Sequence, residues 1–415
     1  MFTIQEDIMK RVMILFFALM VCFAGVASAQ PETADFGIKF SGFVKTDLFF
    51  DSRQVVAARE GHFLLYPVAE AEDPDGDDIN AKPNLNILAI QTRLKGTITG
   101  PDAFGAKTGG LIEAAFFGHS NSDVNGFRLR HAFLTLKWEK NTLLIGQFWH
   151  PMFVTDCFPG TVSFNTGAPF QPFSRNPQVR LTHSSGNLNF IAAAMAQRDF
   201  TSTGPAGASS VYLRNAVIPN LHAQVQIKSD ASLFGVGLDW KALTPRLVTQ
   251  AGYKTTETVN GLSFLGYARF DLPSVTFKVE GVYGQNLTDH LMLGGYAVEA
   301  IDENTGTESY MPTSLYSVWT DISGGSSMGW GLFAGLTKNL GASEDIVSFA
   351  WGRGFNIDTI YRVAPRVLWN SGKIRFAVEG ELTAASYGTP DMQGKVENAE
   401  FVTNMRLLFG AYYFF

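Results

Sequence analysis

The stretch FRLRHAFLTLKW (Phe127 to Trp138), the link Glu139-Lys140-Asn141 and the return TLLIGQFWHP (Thr142 to Pro151) together decide the fold. Both arms are rich in Leu, Ile, Phe, Trp and Thr, alternate with a period near two and are joined by polar residues, which predicts an antiparallel hairpin. The next 24 residues, Met152 to Arg175, hold Gly160, Gly167, Pro159, Pro169 and Pro172, and strand character resumes at Gln178. A structureless segment that long inside a compact domain is uncommon unless it is functional. It fits a barrel whose fifth strand is followed by a loop folded back into the lumen.

Composition points the same way. The 415 residues are 46% hydrophobic and 13% aromatic but only 17% charged, below the roughly 25% charge of soluble domains, so much of the surface is expected to face something other than water. After the leader there is no run of about 18 apolar residues that could cross a membrane as a helix. A chain that faces lipid without such helices must close its sheet, because open strand edges cannot be satisfied in hydrocarbon.

Lys10 and Arg11 precede the apolar run Val12 to Val26, which ends in Ala27-Ser28-Ala29. A basic region, an apolar core and a small-residue cleavage site predict a signal peptide over residues 1–29 and a barrel over residues 30–415. Met9 is an alternative start. Cys22 lies in the leader, so Cys157 alone remains after cleavage and no disulfide can form within one chain.

Alternating segments of about ten residues recur along the chain, separated by short and long links in turn, as in outer-membrane barrels. Sixteen are predicted, near 36–51, 85–99, 109–118, 127–138, 142–150, 177–184, 187–198, 220–228, 232–241, 259–271, 274–286, 314–323, 329–338, 357–369, 373–386 and 400–415. The fold class expected is therefore all-β: a 16-stranded antiparallel transmembrane β-barrel with an in-folded third loop. Sixteen strands leave an aqueous channel, whereas eight would be filled by side chains. In the last strand Leu407, Phe409, Ala411, Tyr413 and Phe415 make one apolar stripe.

Alternation also assigns faces. It turns Lys45, Asp47, Arg93, Lys95, Glu113, Arg128, Arg130, Gln147 and Arg180 toward the lumen, and the in-folded loop brings Asp156 and Arg175. Lys39, Asp51 and the charged residues of the later strands complete a wall of 15 cations and 10 anions, while the whole chain is formally −6. The missing negative charge lies in loops, notably Glu70 to Asp78. Asp73, Asp75 and Asp77 copy the start of a calcium loop, but Asp78 replaces its glycine and Asn84 its closing glutamate. A solvated acidic lip, or one bridged to lipopolysaccharide by divalent cations, explains them equally.

Arg128 and Arg130 can present two guanidinium forks to one carboxylate or phosphate; alternatively they form an ordinary wall pair neutralised by Glu113 and Asp47. Facing them, Asp156, Phe158, Phe164, Phe170, Phe173 and Arg175 would narrow the lumen to a partly apolar slot suited to small anionic solutes. The chain has no G-x-S-x-G, H-E-x-x-H or Walker motif and no zinc-spaced Cys or His. Only His119-Ser120 and Asp289-His290 suggest a hydrolase rim, so no enzyme activity, cofactor, catalytic metal or nucleic-acid partner is expected.

The segment FRLRHAFLTL…LLIGQFWHPMF, with SGFVKTDLFF (Ser41 to Phe50) and the final strand, resembles sixteen-stranded trimeric outer-membrane porins, particularly the dicarboxylate-type (DcaP-like) group, and more loosely the phosphate-selective porins. The resemblance implies a homotrimer in the bacterial outer membrane, passive diffusion through each protomer, a constricting third loop and basic wall residues at Arg128 and Arg130. The chain departs from that group in having no N-terminal coiled-coil extension, and it has no long lysine ladder, which argues against phosphate selectivity. Outward Gly42, Val44 and Ala89 suggest a protomer contact along the first strands.

Overall fold

The computed structural model describes residues 36–415; the expected signal peptide lies outside the described residues. Sixteen strands close into an antiparallel barrel. They are β1 (Gly37–Asp51), β2 (Asn84–Leu88 continued by Arg93–Thr99), β3 (Lys107–Ala115), β4 (Arg128–Lys137), β5 (Asn141–Trp149), β6 (Arg175–Ser185), β7 (Leu188–Met195) and β8 (Asn220–Lys228). The second half comprises β9 (Ser232–Leu243), β10 (Val259–Asp271), β11 (Val275–Gln285), β12 (Ser314–Gly325), β13 (Met328–Gly341), β14 (Ile357–Ser371), β15 (Ile374–Pro390) and β16 (Val396–Phe414). Each strand pairs with its sequence neighbours, and β1 pairs with β16 from Phe43↔Phe414 to Asp51↔Arg406. Closure leaves no barrel edge unpaired, the condition for a sheet in hydrocarbon.

The hairpin expected over Phe127 to Pro151 is β4–β5. Its turn is closed by the Trp138 amide donating to the Asn141 carbonyl at 2.8 Å. Short links and both ends of the described chain lie at one end of the barrel. Long loops lie at the other, the arrangement of outer-membrane barrels, whose short turns are periplasmic.

Alternation sorts the side chains by face. On β16, Met405 and Leu407 are 59% and 57% exposed, whereas Asn404 and Arg406 are fully buried inside. On β1, Val44, Leu48 and Phe50 point out while Lys45, Asp47 and Asp51 point in. A charge placed in the outward band costs about 2–4 kcal/mol at mid-bilayer, so the apolar exterior is what makes membrane residence favourable. Gly42 has a local reason to be small: a Cβ there would lie 2.1 Å from the Arg93 carbonyl oxygen. The backbone crossing beside the Ala89–Thr92 interruption of β2 therefore demands glycine at 42, with no appeal to a neighbouring protomer.

The long loops carry structure of their own. Val55–Ala58 and Phe63–Pro67 form a hairpin, and Gly294–Ile301 pairs with Glu308–Pro312 and Ser348–Arg353. A short α-helix spans Val211–Asn215. The third long loop touches the inward faces of distant strands. The Val162 and Ser163 amides donate to Glu379 on β15, both at 2.8 Å. Lys45 of β1 donates to the Val162 carbonyl at 2.8 Å, Ser317 of β12 to Phe170 at 3.0 Å and Arg362 of β14 to Ala168 at 2.7 Å. Contacts on so many walls place this loop across the barrel interior.

One expectation fails inside the loop. Phe164, Phe170 and Phe173 do not line an open slot: they are 2%, 0% and 1% exposed, in one cluster with Phe63, Phe117, Trp319 and Phe333. Phe158 alone of the four remains accessible, at 37%. Burial of several large side chains, worth roughly 1.5–3 kcal/mol each, favours a packed loop layer over a thin flap.

Candidate functional site

The site is built where β2, β4 and β6 meet the first, third and fourth loops. Arg128 and Arg130 both point inward, 5% and 1% exposed. The strand does not continue in simple alternation. Glu113 of β3 pairs with His131 and Ala114 with Leu129, leaving Arg130 as the extra residue of a β-bulge. A bulge re-aims side chains, so Arg130 and His131 are both buried although adjacent, and beyond it Leu134, 46% exposed, faces out.

The bulge corrects Gln147, expected in the pore wall. Its partners are Ala132 and Pro177, on the outward face of Ile145, which is 40% exposed. From there its amide donates to the Arg130 carbonyl at 3.0 Å, capping the acceptor beside the bulge.

Arg130 Nε meets Glu113 Oε1 at 2.6 Å. Arg128 lies 3.4 Å from Asp199 Oδ1, and Arg175, the first residue of β6, binds Asp199 Oδ2 through Nε at 2.7 Å. The Arg175 guanidinium also covers the Trp149 ring at 4.9 Å. Arg93 stands over Phe43 at 5.3 Å, and Arg59 of the first loop over Phe117 at 5.3 Å. Electrostatic coupling links Arg175 to Arg59, Arg93, Arg128 and Arg130.

Five arginines thus face three carboxylates, Glu113, Asp199 and, acting on Arg59, Asp123, so the arginines are in excess. Burial by itself would raise the Asp199 carboxyl, but Arg175 and Arg128 hold it below the usual aspartate range. Several buried donors have no protein acceptor: Arg93 Nε, Arg128 Nε and Nη2, and Arg130 Nη1. Unpaired buried donors are costly.

Of the other expected pore residues, Lys95 alone adjoins the group, and the rest lie elsewhere. Lys45 pairs with Asp47 at 3.1 Å, and Asp47 also takes His62 Nε2 at 2.8 Å, so Asp47 does not neutralise the arginines. Lys95 stands opposite Glu113 across the β2–β3 ladder. Asp156 is half exposed and meets Lys228 at 2.7 Å, on a different wall from Arg128. Arg180 donates to Gln178 Oε1 at 2.9 Å and to the Trp149 carbonyl at 2.5 Å. Asp156, Arg180 and Lys228, with Asn189, Gln224 and Gln226, line a polar cleft of about 270 Å³ beneath the third loop.

The acidic lip is self-contained. Asp73 accepts the Asp75 and Asp77 amides, and Asp78 accepts the Ala71 and Asn80 amides while pairing with Arg53 at 3.0 Å. Neither suggested hydrolase pair is assembled. Ser120 Oγ bonds Ser122 rather than His119, and His290 Nε2 is 3.9 Å from Asp289 inside the loop layer.

Sequence reading missed Asp199 and Arg59. Both sit in loops whose placement depends on tertiary contacts, and no spacing rule marks them.

No protein-family model matches the chain, and no curated protein matches it. Solved structures do. The outer membrane channel DcaP of Acinetobacter baumannii is 15% identical, with a TM-score of 0.66 over 94% of this chain and 100% of that one. OmpT, an outer membrane protein of Vibrio cholerae solved in a trimer form, is 11% identical, with a TM-score of 0.55 over 92% and 100%. Salmonella typhi OmpF in complex with daunomycin is 10% identical, with a TM-score of 0.52 over 91% and 97%. At these identities the likeness is one of fold: the chain has the barrel architecture of these outer membrane proteins.

Proposed function

We propose that this protein is a bacterial outer-membrane diffusion porin, a homotrimer with lipid and lipopolysaccharide around it, that passes small hydrophilic solutes and prefers small organic anions. The observation that carries the anion preference is the arginine group at 59, 93, 128, 130 and 175, with its unpaired inward donors and fewer carboxylates, Glu113, Asp199 and Asp123, to offset it. Guanidinium forks match carboxylates in two-point geometry, and charges in a narrow, low-dielectric passage act more strongly than charges at a wide mouth. The polar cleft at Arg180 and Lys228 gives an anion leaving this region a second cationic surface.

The packed loop layer favours one rival, a barrel that binds a ligand without conducting. Swelling of liposomes loaded with the purified protein separates the two. On the porin reading, succinate enters faster than a neutral solute of similar size; impermeability to both supports the non-conducting barrel.

A further inference from the structure

Among the described residues, one group brings three His, Cys, Asp or Glu ligand atoms within 4.8 Å of one another: His150, His222 and Asp239, all buried. It lies where the root of the third loop meets β8 and β9, next to Trp149, whose ring the Arg175 guanidinium covers. Asp239 Oδ1 is 3.4 Å from His150 Nε2 and 3.2 Å from His222 Nδ1. Two ligands held tetrahedrally at the usual zinc bond lengths of about 2.0–2.1 Å stand about 3.3 Å apart.

Hydrogen bonding supplies a second reason. Gln224 Nε2 donates to the Tyr267 hydroxyl at 2.5 Å, which leaves Gln224 Oε1 facing His222 Nε2 at 3.1 Å. The ring proton of a neutral His222 is thereby fixed on Nε2. Its Nδ1 lone pair then confronts a carboxylate oxygen, and two acceptors at 3.2 Å need a positive centre between them. Asp239 Oδ2 is held by Asn220 Nδ2 at 2.9 Å, the type of support that orients a ligating carboxylate.

A third reason is His290. Its ring stands 4.5 Å from that of His150, it is fully buried, and its Nε2, 3.9 Å from Asp289, has no hydrogen-bond partner, while Nδ1 faces Ser174 Oγ at 3.1 Å. Charge agrees as well. Asp239 and Asp289 outnumber the one lysine here, Lys241, which pairs with Asp289, so with neutral histidines the cluster is one negative charge in excess.

We propose that His150, His222 and Asp239 bind a divalent transition-metal ion of the zinc class, with His290 or water at the fourth position. Nitrogen and carboxylate donors in this number suit that class. Ligation through His150 Nε2 moves its ring proton to Nδ1 and displaces the 3.2 Å contact from the Met152 amide. The ion would clamp the start of the third loop to β8 and β9.

The test is calorimetric titration of the chelator-treated barrel in detergent with zinc at pH 7.5, with cobalt absorption as a second readout. One zinc per chain is expected, weakened at least tenfold in His222→Gln and in Asp239→Asn and unchanged in His183→Gln. Bound cobalt should show the visible bands of a low-coordinate nitrogen and oxygen site in the wild type, a result that needs no variant to fold. Absence of saturable binding by the wild type, or equal affinity in folded His222→Gln, would overturn the proposal and leave a proton as the centre between His222 and Asp239.

Discussion

Glu379 accepts the backbone amides of Val162 and Ser163, both at 2.8 Å, and so ties the middle of the third loop to the wall of β15 across 217 and 216 residues of sequence. Intramolecular hydrogen bonds are worth about 0.5–1.5 kcal/mol each. Glu379→Ala removes both while leaving the strand ladder intact. The variant is expected to fold as a barrel but to give larger and noisier single-channel currents in planar bilayers. Currents identical to wild type would show that the tether does not set the opening.

Asp199 makes the site sensitive to acid. Its carboxyl is depressed in the folded protein by Arg175 and Arg128 despite burial. A depressed carboxylate stabilises the fold above its unfolded pKa and loses that contribution as pH falls through its folded value. Thermal unfolding of the wild type should therefore drop below the ordinary aspartate range more steeply than that of Asp199→Asn. The variant itself starts lower at neutral pH, by roughly 3–5 kcal/mol for leaving buried cations unpaired. Parallel pH profiles for the two proteins would contradict this role.

Cys157 tests the packing of the third loop. The side chain is fully buried, its thiol donates to the Ala268 carbonyl at 3.4 Å, and burial pushes its pKa up to about 12. At pH 8 only about one in ten thousand such thiols is ionised, and the thiolate is the reactive form. The folded barrel should resist iodoacetamide for hours and react fully once denatured. Rapid labelling of the folded protein would mean that the loop layer opens readily.

Much of the fold was legible in the sequence, because a strand with one face in lipid and one in a polar lumen must alternate, and lengths near ten residues are set by membrane thickness. All sixteen strands fall where alternation predicts, with ends displaced by a few residues, as at β16, which begins at Val396 rather than 400. The inward charges Lys45, Asp47, Arg128 and Arg130 followed from the same rule. Gln147 did not, because the extra residue at Arg130 shifts the phase of β4 and leaves no trace in composition. The hydrophobic loop layer was hidden for another reason. Phe63, Phe164, Phe173 and Phe333 meet only when the barrel has closed, and nothing local distinguishes such residues from the lining of an open slot.

The central claim is that the arginine group beside the third loop sets ion preference. Arg128 and Arg130 are two of its five arginines, both buried and pointing inward, and lumen substitutions tune selectivity more than stability. The direct measurement is the reversal potential of the reconstituted protein across a salt gradient at modest ionic strength, where such charges are least screened, for wild type and for the Arg128→Gln, Arg130→Gln double variant. The expected result is an anion-selective wild type whose potential moves toward the cation side in the double variant. An unchanged potential in a folded double variant, or a wild type already cation-selective through the acidic lip at Glu70 to Asp78, would contradict the account.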